Sequence, residues 1–190
     1  MRLAGCLITS RLRLRQPDAA GVIAQVQRAV DAGIDLVQVR ERDLEGRALY
    51  DLVRRCLEVT RGTHTRVLVN DRLDIALAAG AHGVHLRGRS FPAARVRERV
   101  GTSFLIGRSV HSAAEATDVY RAGGLDYLMF GNVFETASKP GREAAGLERL
   151  AEVAQATPLP VLAVGGITAA RAPLVARAGA SGFAAISMFT

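Results

Sequence analysis

The chain has 190 residues, of which 49% are hydrophobic and 23% are charged. This balance excludes a disordered tail and predicts one globular domain over residues 1–190. No apolar run approaches the ~20 residues that a membrane span needs, so we expect a cytoplasmic protein with no membrane contact. The net charge is +7, but the arginines are spread along the chain and tryptophan is absent from the sequence, which argues against nucleic-acid binding.

Eight apolar runs of strand length recur along the chain. Their apolar character is continuous rather than alternating, which is typical of parallel strands that are buried on both faces. In chain order, the predicted strands are Leu3 to Thr9, Asp35 to Val39, Arg66 to Val69, Gly83 to Leu86, Phe104 to Ile106, Asp126 to Phe130, Val161 to Val164 and Gly182 to Ile186.

Amphipathic stretches separate these runs and predict helices. The alternation predicts a (β/α)8 TIM barrel; periodicity alone does not separate this fold from a doubly wound sheet, and the phosphate motifs at the strand ends decide for the barrel. The predicted helices are Pro17 to Ala32, Leu44 to Thr60, Leu73 to Ala79, Pro92 to Val100, Ala113 to Ala122, Gly146 to Ala156 and Ala169 to Ala178.

The last predicted strand is followed only by Ser187 to Thr190, so the eighth helix of the barrel has no sequence to form it. The groove between the first and seventh helices would then expose apolar surface. We expect either that further sequence follows Thr190 or that a partner chain, such as a second copy in a homodimer, covers the groove.

Polar residues and glycines collect where the predicted strands end, which is the catalytic end of a barrel. Gly165 and Gly166 follow the seventh strand, and Ile186 and Ser187 end the eighth, where barrels bind phosphate through backbone N–H groups. A tight turn is the alternative explanation of the glycine pair, but the paired position after the next strand favours phosphate. The candidate set is Arg40, Asn70, Asp71, Ser109, His111, Thr136, Lys139, Gly165, Gly166, Ile186 and Ser187.

His111 is the histidine whose position suggests chemistry. It lies just past a predicted strand, from which an imidazole can transfer protons near neutral pH, and a helix start beside Ser112 is the alternative reading. The other histidines have structural explanations, in a turn or a strand. Lys139 is the only lysine in a chain that otherwise uses arginine, which suggests that this position requires lysine.

Several runs occur in a characteristic order: Val37 to Arg42, Leu68 to Asp74, Gly83 to Leu86, Ile106 to Ser112, Phe130 to Thr136 with Lys139 and Pro140, and Val164 to Ile167. In this order they resemble the thiamine phosphate synthase superfamily over essentially the whole chain. The resemblance implies a (β/α)8 barrel that binds a thiazole phosphate. Two branches share this fold. The synthase joins a hydroxymethylpyrimidine pyrophosphate to the thiazole with Mg²⁺, and the TenI-type thiazole tautomerase aromatises the thiazole carboxylate phosphate.

Departures from the synthase pattern favour the tautomerase branch. Arg42 stands where the synthase has lysine, and Arg and Lys are not interchangeable in a fitted site. Asp71 matches the first of two magnesium ligands, but Ser90 stands in place of the second, with Arg87 and Arg89 just before it. Arg108 and Glu135 also resemble the tautomerase. We therefore predict an isomerase, a thiazole tautomerase that needs no cofactor.

The resemblance also implies roles for the candidate residues. His111 would be the catalytic acid and base, and Lys139 would add a point charge to phosphate or carboxylate. Asp71 is a weak Mg²⁺ candidate only in a synthase, and a helix cap is the alternative. The expected ligand is a small phosphorylated thiazole. A thiamine phosphate synthase and a non-catalytic regulator remain alternatives.

The resemblance also implies which residues bind the substrate. Arg40 and Asn70 would line the ring pocket, and Ser109 and Thr136 would be further substrate ligands. The phosphate would be held by the backbone of Gly165, Gly166, Ile186 and Ser187.

Overall fold

The computed structural model describes residues 3–136, 141 and 143–189. Eight parallel strands form a closed barrel in chain order, which confirms the predicted fold class. The strands are β1 (Ala4–Ile8), β2 (Leu36–Val39), β3 (Arg66–Asn70), β4 (Gly83–Leu86), β5 (Leu105–Val110), β6 (Tyr127–Gly131), β7 (Val161–Val164) and β8 (Gly182–Ala185).

A helix follows each of the first seven strands. The helices are α1 (Ala19–Asp31), α2 (Gly46–Val59), α3 (Leu73–Ala79), α4 (Ala93–Val100), α5 (Ala113–Ala122), α6 (Gly146–Gln155) and α7 (Ala172–Arg177). Residues 186–189, the described part after β8, contain no helix, as predicted. Within the described ranges, every helix is too short or too polar to cross a membrane.

The chain divides into two compact units, which we describe separately. Unit one comprises residues 1–4 and 86–185, and unit two comprises residues 5–85 and 186–190. The apolar runs are buried as predicted: all four residues of β4 are buried, as are four of the five residues of β1 and of β6. The continuous apolar character of these strands is therefore explained by their burial.

In unit two, Asp35 fixes the start of β2 against β1. Its N–H donates to the Gly5 carbonyl at 3.1 Å, and its carboxylate accepts from the Gly5 N–H at 2.8 Å. In unit one, Asp126 makes the same pair of contacts with Ile106 of β5, at 2.9 and 2.7 Å. Asp35, directly before β2, thus sets the register of β2 against β1, and Asp126, directly before β6, does the same for β6 against β5.

Arg97 of α4 strengthens this end of unit one. One guanidinium nitrogen donates to the carbonyls of Gly101 and Phe104, and the other pairs with the Asp126 carboxylate at 2.6 Å. Both side chains of the ion pair are half-buried, so the pair is screened less than a fully exposed one. Arg97 thereby ties α4 to the segments that enter β5 and β6.

Most predicted elements match the structure to within one to three residues at each end, and two differences are larger. The predicted fifth strand ends at Ile106, but β5 continues to Val110 because residues 107–110 pair in register with Tyr127–Phe130 of β6. A one-turn 3₁₀ helix, Arg11–Arg13, was not predicted, since the alternation of arginine and leucine there has no helical period. Both differences lie at carboxyl ends of strands, where polar residues interrupt the apolar pattern.

Candidate active site

The turn after β7 is built around Gly165 and Gly166, both with left-handed backbone (φ +100° and +65°). A Cβ atom on Gly165 would lie 2.5 Å from the Asn132 Cβ, and one on Gly166 would lie 2.5 Å from the Glu135 carbonyl oxygen. Only glycine fits both the conformation and the space. The turn is therefore a close approach of two backbone segments.

The second segment at this turn is the loop after β6, residues 132–136. The N–H of Phe134 donates to the Gly165 carbonyl at 3.1 Å, and Val133 donates to the Val164 carbonyl at 2.9 Å. These bonds hold the loop against the glycine pair, and half-buried Thr136 lies in the same loop. Lys139, the predicted point charge, lies outside the described residues.

Three residues at the glycine turn were not predicted. The Asn132 side chain is buried, and its amide nitrogen has no hydrogen-bond partner in the described structure. Arg171 donates to the Gly166 carbonyl at 2.8 Å, and its guanidinium carbon lies 4.6 Å from the ring centre of Phe134. No residue spacing points to Arg171, whereas Asn132 directly follows a buried strand and could have been proposed from its position.

His111 directly follows β5 and is exposed. Its backbone N–H donates to the Glu115 carboxylate at 2.8 Å, and its Nδ1 lies 3.3 Å from the same oxygen. The Ser112 hydroxyl accepts from the Glu115 N–H at 3.1 Å and caps α5. His111 therefore lies at a helix start, and a carboxylate orients its ring. The Ser-x-x-Glu spacing of residues 112–115 is typical of a helix start and could have predicted the role of Glu115.

The loop after β4 lies beside this pair within unit one. The Arg108 guanidinium donates to the carbonyls of Gly88 and Phe91 at 2.6 and 3.2 Å, which fixes the loop. The Glu115 carboxylate lies 3.7 Å from the position that a Cβ on Gly88 would occupy. Exposed Arg87 and Arg89 flank Gly88, so this loop carries positive charge next to the His111 and Glu115 pair.

In unit two, Asn70 and Asp71 lie at the carboxyl end of β3. Asn70 is in register with His85 of β4, and the Asp71 N–H donates to the His85 carbonyl at 2.9 Å. Burial lowers the pKa of the His85 imidazole to about 3, although the nearby negative charge of Asp71 acts to raise it. The imidazole is therefore neutral at neutral pH. Asp71 has a left-handed backbone (φ +63°), a conformation unusual for any residue but glycine.

The remaining candidates of unit two lie after β2 and β8. The Arg40 N–H donates to the Thr9 hydroxyl at 2.9 Å. The Ile186 carbonyl accepts from the side chain of buried Gln25, on α1, at 3.1 Å. Gln25 was missed, although a glutamine on the apolar stripe of a helix was a signal. Ser187 follows Ile186, and Ser109 lies half-buried in β5 of unit one.

The described residues do not fit a magnesium site with two carboxylates. The loop after β4 offers Arg87, Arg89 and Ser90, and the Ser90 hydroxyl accepts from the Arg87 N–H at 2.8 Å. Asp71 is the one carboxylate among the predicted ligands, and no group of three His, Cys, Asp or Glu side chains suited to a metal occurs in the described ranges. Guanidinium groups are not ligands for a hard cation.

Comparison with known proteins supplies a family. The family model described as thiamine monophosphate synthase matches residues 6–189. A putative thiamine-phosphate synthase of Geobacter sulfurreducens is 42% identical over 182 residues, which cover 95% of this chain and 84% of that protein. The thiamine-phosphate synthase of Haloarcula marismortui is 39% identical over 169 residues, covering 87% and 80% of the two chains.

Solved structures agree with the family match. Thiamine phosphate pyrophosphorylase from Pyrococcus furiosus superposes with a TM-score of 0.83 at 33% identity, covering 97% of this chain and 86% of that one. 3-Hexulose-6-phosphate synthase superposes with a TM-score of 0.69 at 17% identity, which shows a shared fold alone.

The prediction of an isomerase is wrong. The relatives that match most of the chain are named thiamine-phosphate synthase, and a synthase of this kind is a transferase. The substitutions at positions 42 and 90, which favoured the tautomerase branch, do not outweigh a match that extends over nearly every residue. The resemblance to the superfamily is confirmed, and the chain belongs to the thiamine monophosphate synthase family.

Proposed function

We propose that the chain is a thiamine-phosphate synthase, which joins a hydroxymethylpyrimidine pyrophosphate to a thiazole phosphate. The observation that carries this proposal is the family match over residues 6–189. In the reaction, the bond between the pyrimidine methylene carbon and the pyrophosphate oxygen breaks. The ring nitrogen of the thiazole forms a bond to that carbon, and pyrophosphate leaves with the electron pair.

The thiazole phosphate would bind at the turn after β7. The backbone N–H groups of Gly165 and Gly166 would donate to the phosphate oxygens, as backbone N–H groups do in the phosphate sites of barrels. The buried amide of Asn132 is a donor next to Gly165, and a ligand oxygen would satisfy it. Thr136 adds a hydroxyl from the same loop. Lys139 remains a candidate on sequence grounds alone.

The pyrophosphate would bind at the loop after β4. Arg87 and Arg89 can neutralise the charge that builds on the leaving group, since guanidinium groups pair well with phosphate. His111, held by Glu115, can donate a hydrogen bond to the same oxygens. This assignment gives His111 a binding role instead of the proton transfers of an isomerase. Ser109, two residues before it, stays a proposed substrate ligand.

The candidates of unit two remain proposals for substrate binding. Ile186 is positioned by Gln25, and Arg40 by the Thr9 hydroxyl. Asn70 and Ser187 end or follow strands, as substrate ligands of barrels do. Substituting each of these four by alanine, with KM for the two substrates measured separately, would assign each residue to one substrate or to neither.

The test is the formation of thiamine phosphate from the two precursors, with Mg²⁺ varied from a chelated solution upward. We expect product and stoichiometric pyrophosphate. The Arg121→Ala variant, which removes an exposed charge from α5, is the control and should be as active as the wild type. Folded protein that gives no product at any Mg²⁺ concentration would overturn the proposal.

A further inference from the structure

A cavity of about 670 Å³ lies between helix α1 and the segment 13–16 that follows the 3₁₀ turn. Its volume is in the range of small-molecule sites, roughly 300–1,000 Å³. From α1 it is lined by Gly21, Ala24 and Arg28. None of its lining residues is among the substrate candidates above, and all of them belong to unit two.

The lining of this cavity is strongly positive. Arg13, Arg15 and Arg28 contribute guanidinium groups, and no lining residue is acidic. The Arg28 Nε donates to the Phe189 carbonyl at 3.1 Å, a contact that positions the guanidinium without neutralising it. Asp18 lies outside this lining, and its carboxylate stays negatively charged because it accepts from the Gly21 N–H at 2.9 Å and from the Gln16 side chain at 3.0 Å.

The segment that carries Arg13 and Arg15 is held at both ends. At the start, the Arg11 N–H donates to both carboxylate oxygens of buried Glu41, at 3.1 and 3.0 Å. At the end, the Gln16 carbonyl packs so closely on Gly21 that a Cβ there would lie 2.0 Å from its oxygen. The arginines therefore extend from a backbone that is already ordered, which lowers the entropy cost of binding.

The arginine side chains that line the cavity indicate which class of ligand it can bind. Guanidinium groups bind phosphate oxygens in pairs, and several of them around one cavity favour a ligand with more than one charge. The lining contains no aromatic side chain, so a nucleobase would find no stacking partner. We propose that this cavity is a second anion site, which binds a compact polyphosphate and is separate from the proposed substrate site.

The experiment is a titration of the isotope-labelled chain with inorganic tripolyphosphate, followed by amide NMR. We expect saturable shifts at Gly21 and Ala24. In the Arg15→Ala/Arg28→Ala double variant, the affinity at these two amides should fall by about ten-fold or more, because two charges are lost. The amides of Gly165 and Gly166 report on the proposed substrate site in the same spectra, so failure of either proposal is seen separately.

Two controls decide the outcome. Arg121→Ala removes one exposed charge outside the cavity and should leave the shifts at Gly21 and Ala24 unchanged. Absence of saturable shifts at these amides, or equal affinity in the double variant, would overturn the site. Glucose phosphate and adenosine monophosphate should bind about equally and more weakly than tripolyphosphate, and clearly tighter binding of the nucleotide would refute the polyphosphate assignment.

Discussion

A side chain at Gly165 would cost stability in two ways, because the backbone there is left-handed and because a Cβ atom would clash with a neighbour. The two contributions can be measured separately. Gly33 has a similar φ of +74° but nothing within 4 Å of its missing Cβ, whereas a Cβ on Gly165 would meet the Asn132 Cβ at 2.5 Å. Gly33→Ala therefore measures backbone strain alone, about 1 kcal/mol. We expect Gly165→Ala to cost about 1–3 kcal/mol more and to raise KM for the thiazole phosphate.

Urea unfolding and steady-state kinetics of both variants check this prediction. Equal losses of stability in Gly165→Ala and Gly33→Ala would show that the loop after β6 can move away from the new Cβ atom at little cost in stability. An unchanged KM in Gly165→Ala would remove the turn from the phosphate site.

His85 makes stability depend on pH. Its pKa falls from 6.5 to about 3 on folding because the imidazole is buried. The unfolded chain then binds a proton that the folded chain does not, so stability is full above pH 6.5 and is lost as the pH falls toward 3. Between pH 7 and pH 5, His85 should account for a loss of about 2 kcal/mol.

The His85→Asn variant is the comparison, since asparagine does not titrate. The free energy of unfolding of each protein is measured at pH 7 and pH 5. We expect the free energy of unfolding to fall between pH 7 and pH 5 by about 2 kcal/mol less in the variant than in the wild type. Equal losses would show that the imidazole is protonated in the folded chain.

At the scale of elements, the loop after β4 gives the sharpest prediction. Arg89→Ala should raise KM for the pyrophosphate substrate by about ten-fold, because one charge-assisted contact is lost. KM for the thiazole phosphate should not change. Arg95→Ala, on the exposed side of α4, is the matched control. A rise in both KM values, or a rise in the control, would contradict the assignment.

Ser90→Asp tests the missing magnesium ligand in the same loop. The substitution restores a carboxylate where the chain has a hydroxyl that is bonded to the Arg87 N–H. Because Mg²⁺ prefers carboxylate ligands, we expect the variant to reach half-maximal activity at a lower Mg²⁺ concentration than the wild type. An unchanged Mg²⁺ dependence would mean that position 90 does not face the metal.

Elements with a uniform pattern were predicted well from the sequence. The run 161–164 is apolar throughout and forms β7 with the predicted bounds. The end of β5 could not be predicted, because Arg108 and Ser109 interrupt the apolar run and only pairing with β6 keeps them in the strand. The contact between Arg171 and Phe134 joins two loops that are distant in sequence, and no local spacing encodes it.

At the scale of the whole molecule, the net charge of +7 makes non-specific DNA binding the main alternative to the proposed enzymatic function. The aromatic content is only 5%, so stacking on bases adds little and attraction is electrostatic. We expect any DNA affinity to fall steeply with salt and to vanish near physiological ionic strength. Fluorescence anisotropy of a labelled duplex at two salt concentrations checks this, and affinity that persists at high salt would support a regulator.

The paired contacts of Asp35 and Asp126 have a consequence for how the chain folds. Parallel strands joined through a helix must find their alignment over a long sequence separation, which slows folding. Each aspartate aligns one such pair, β1 with β2 in unit two and β5 with β6 in unit one, through two hydrogen bonds to a single residue. We therefore expect each of these two pairs, which lie four strands apart in the chain, to align during folding independently of the other.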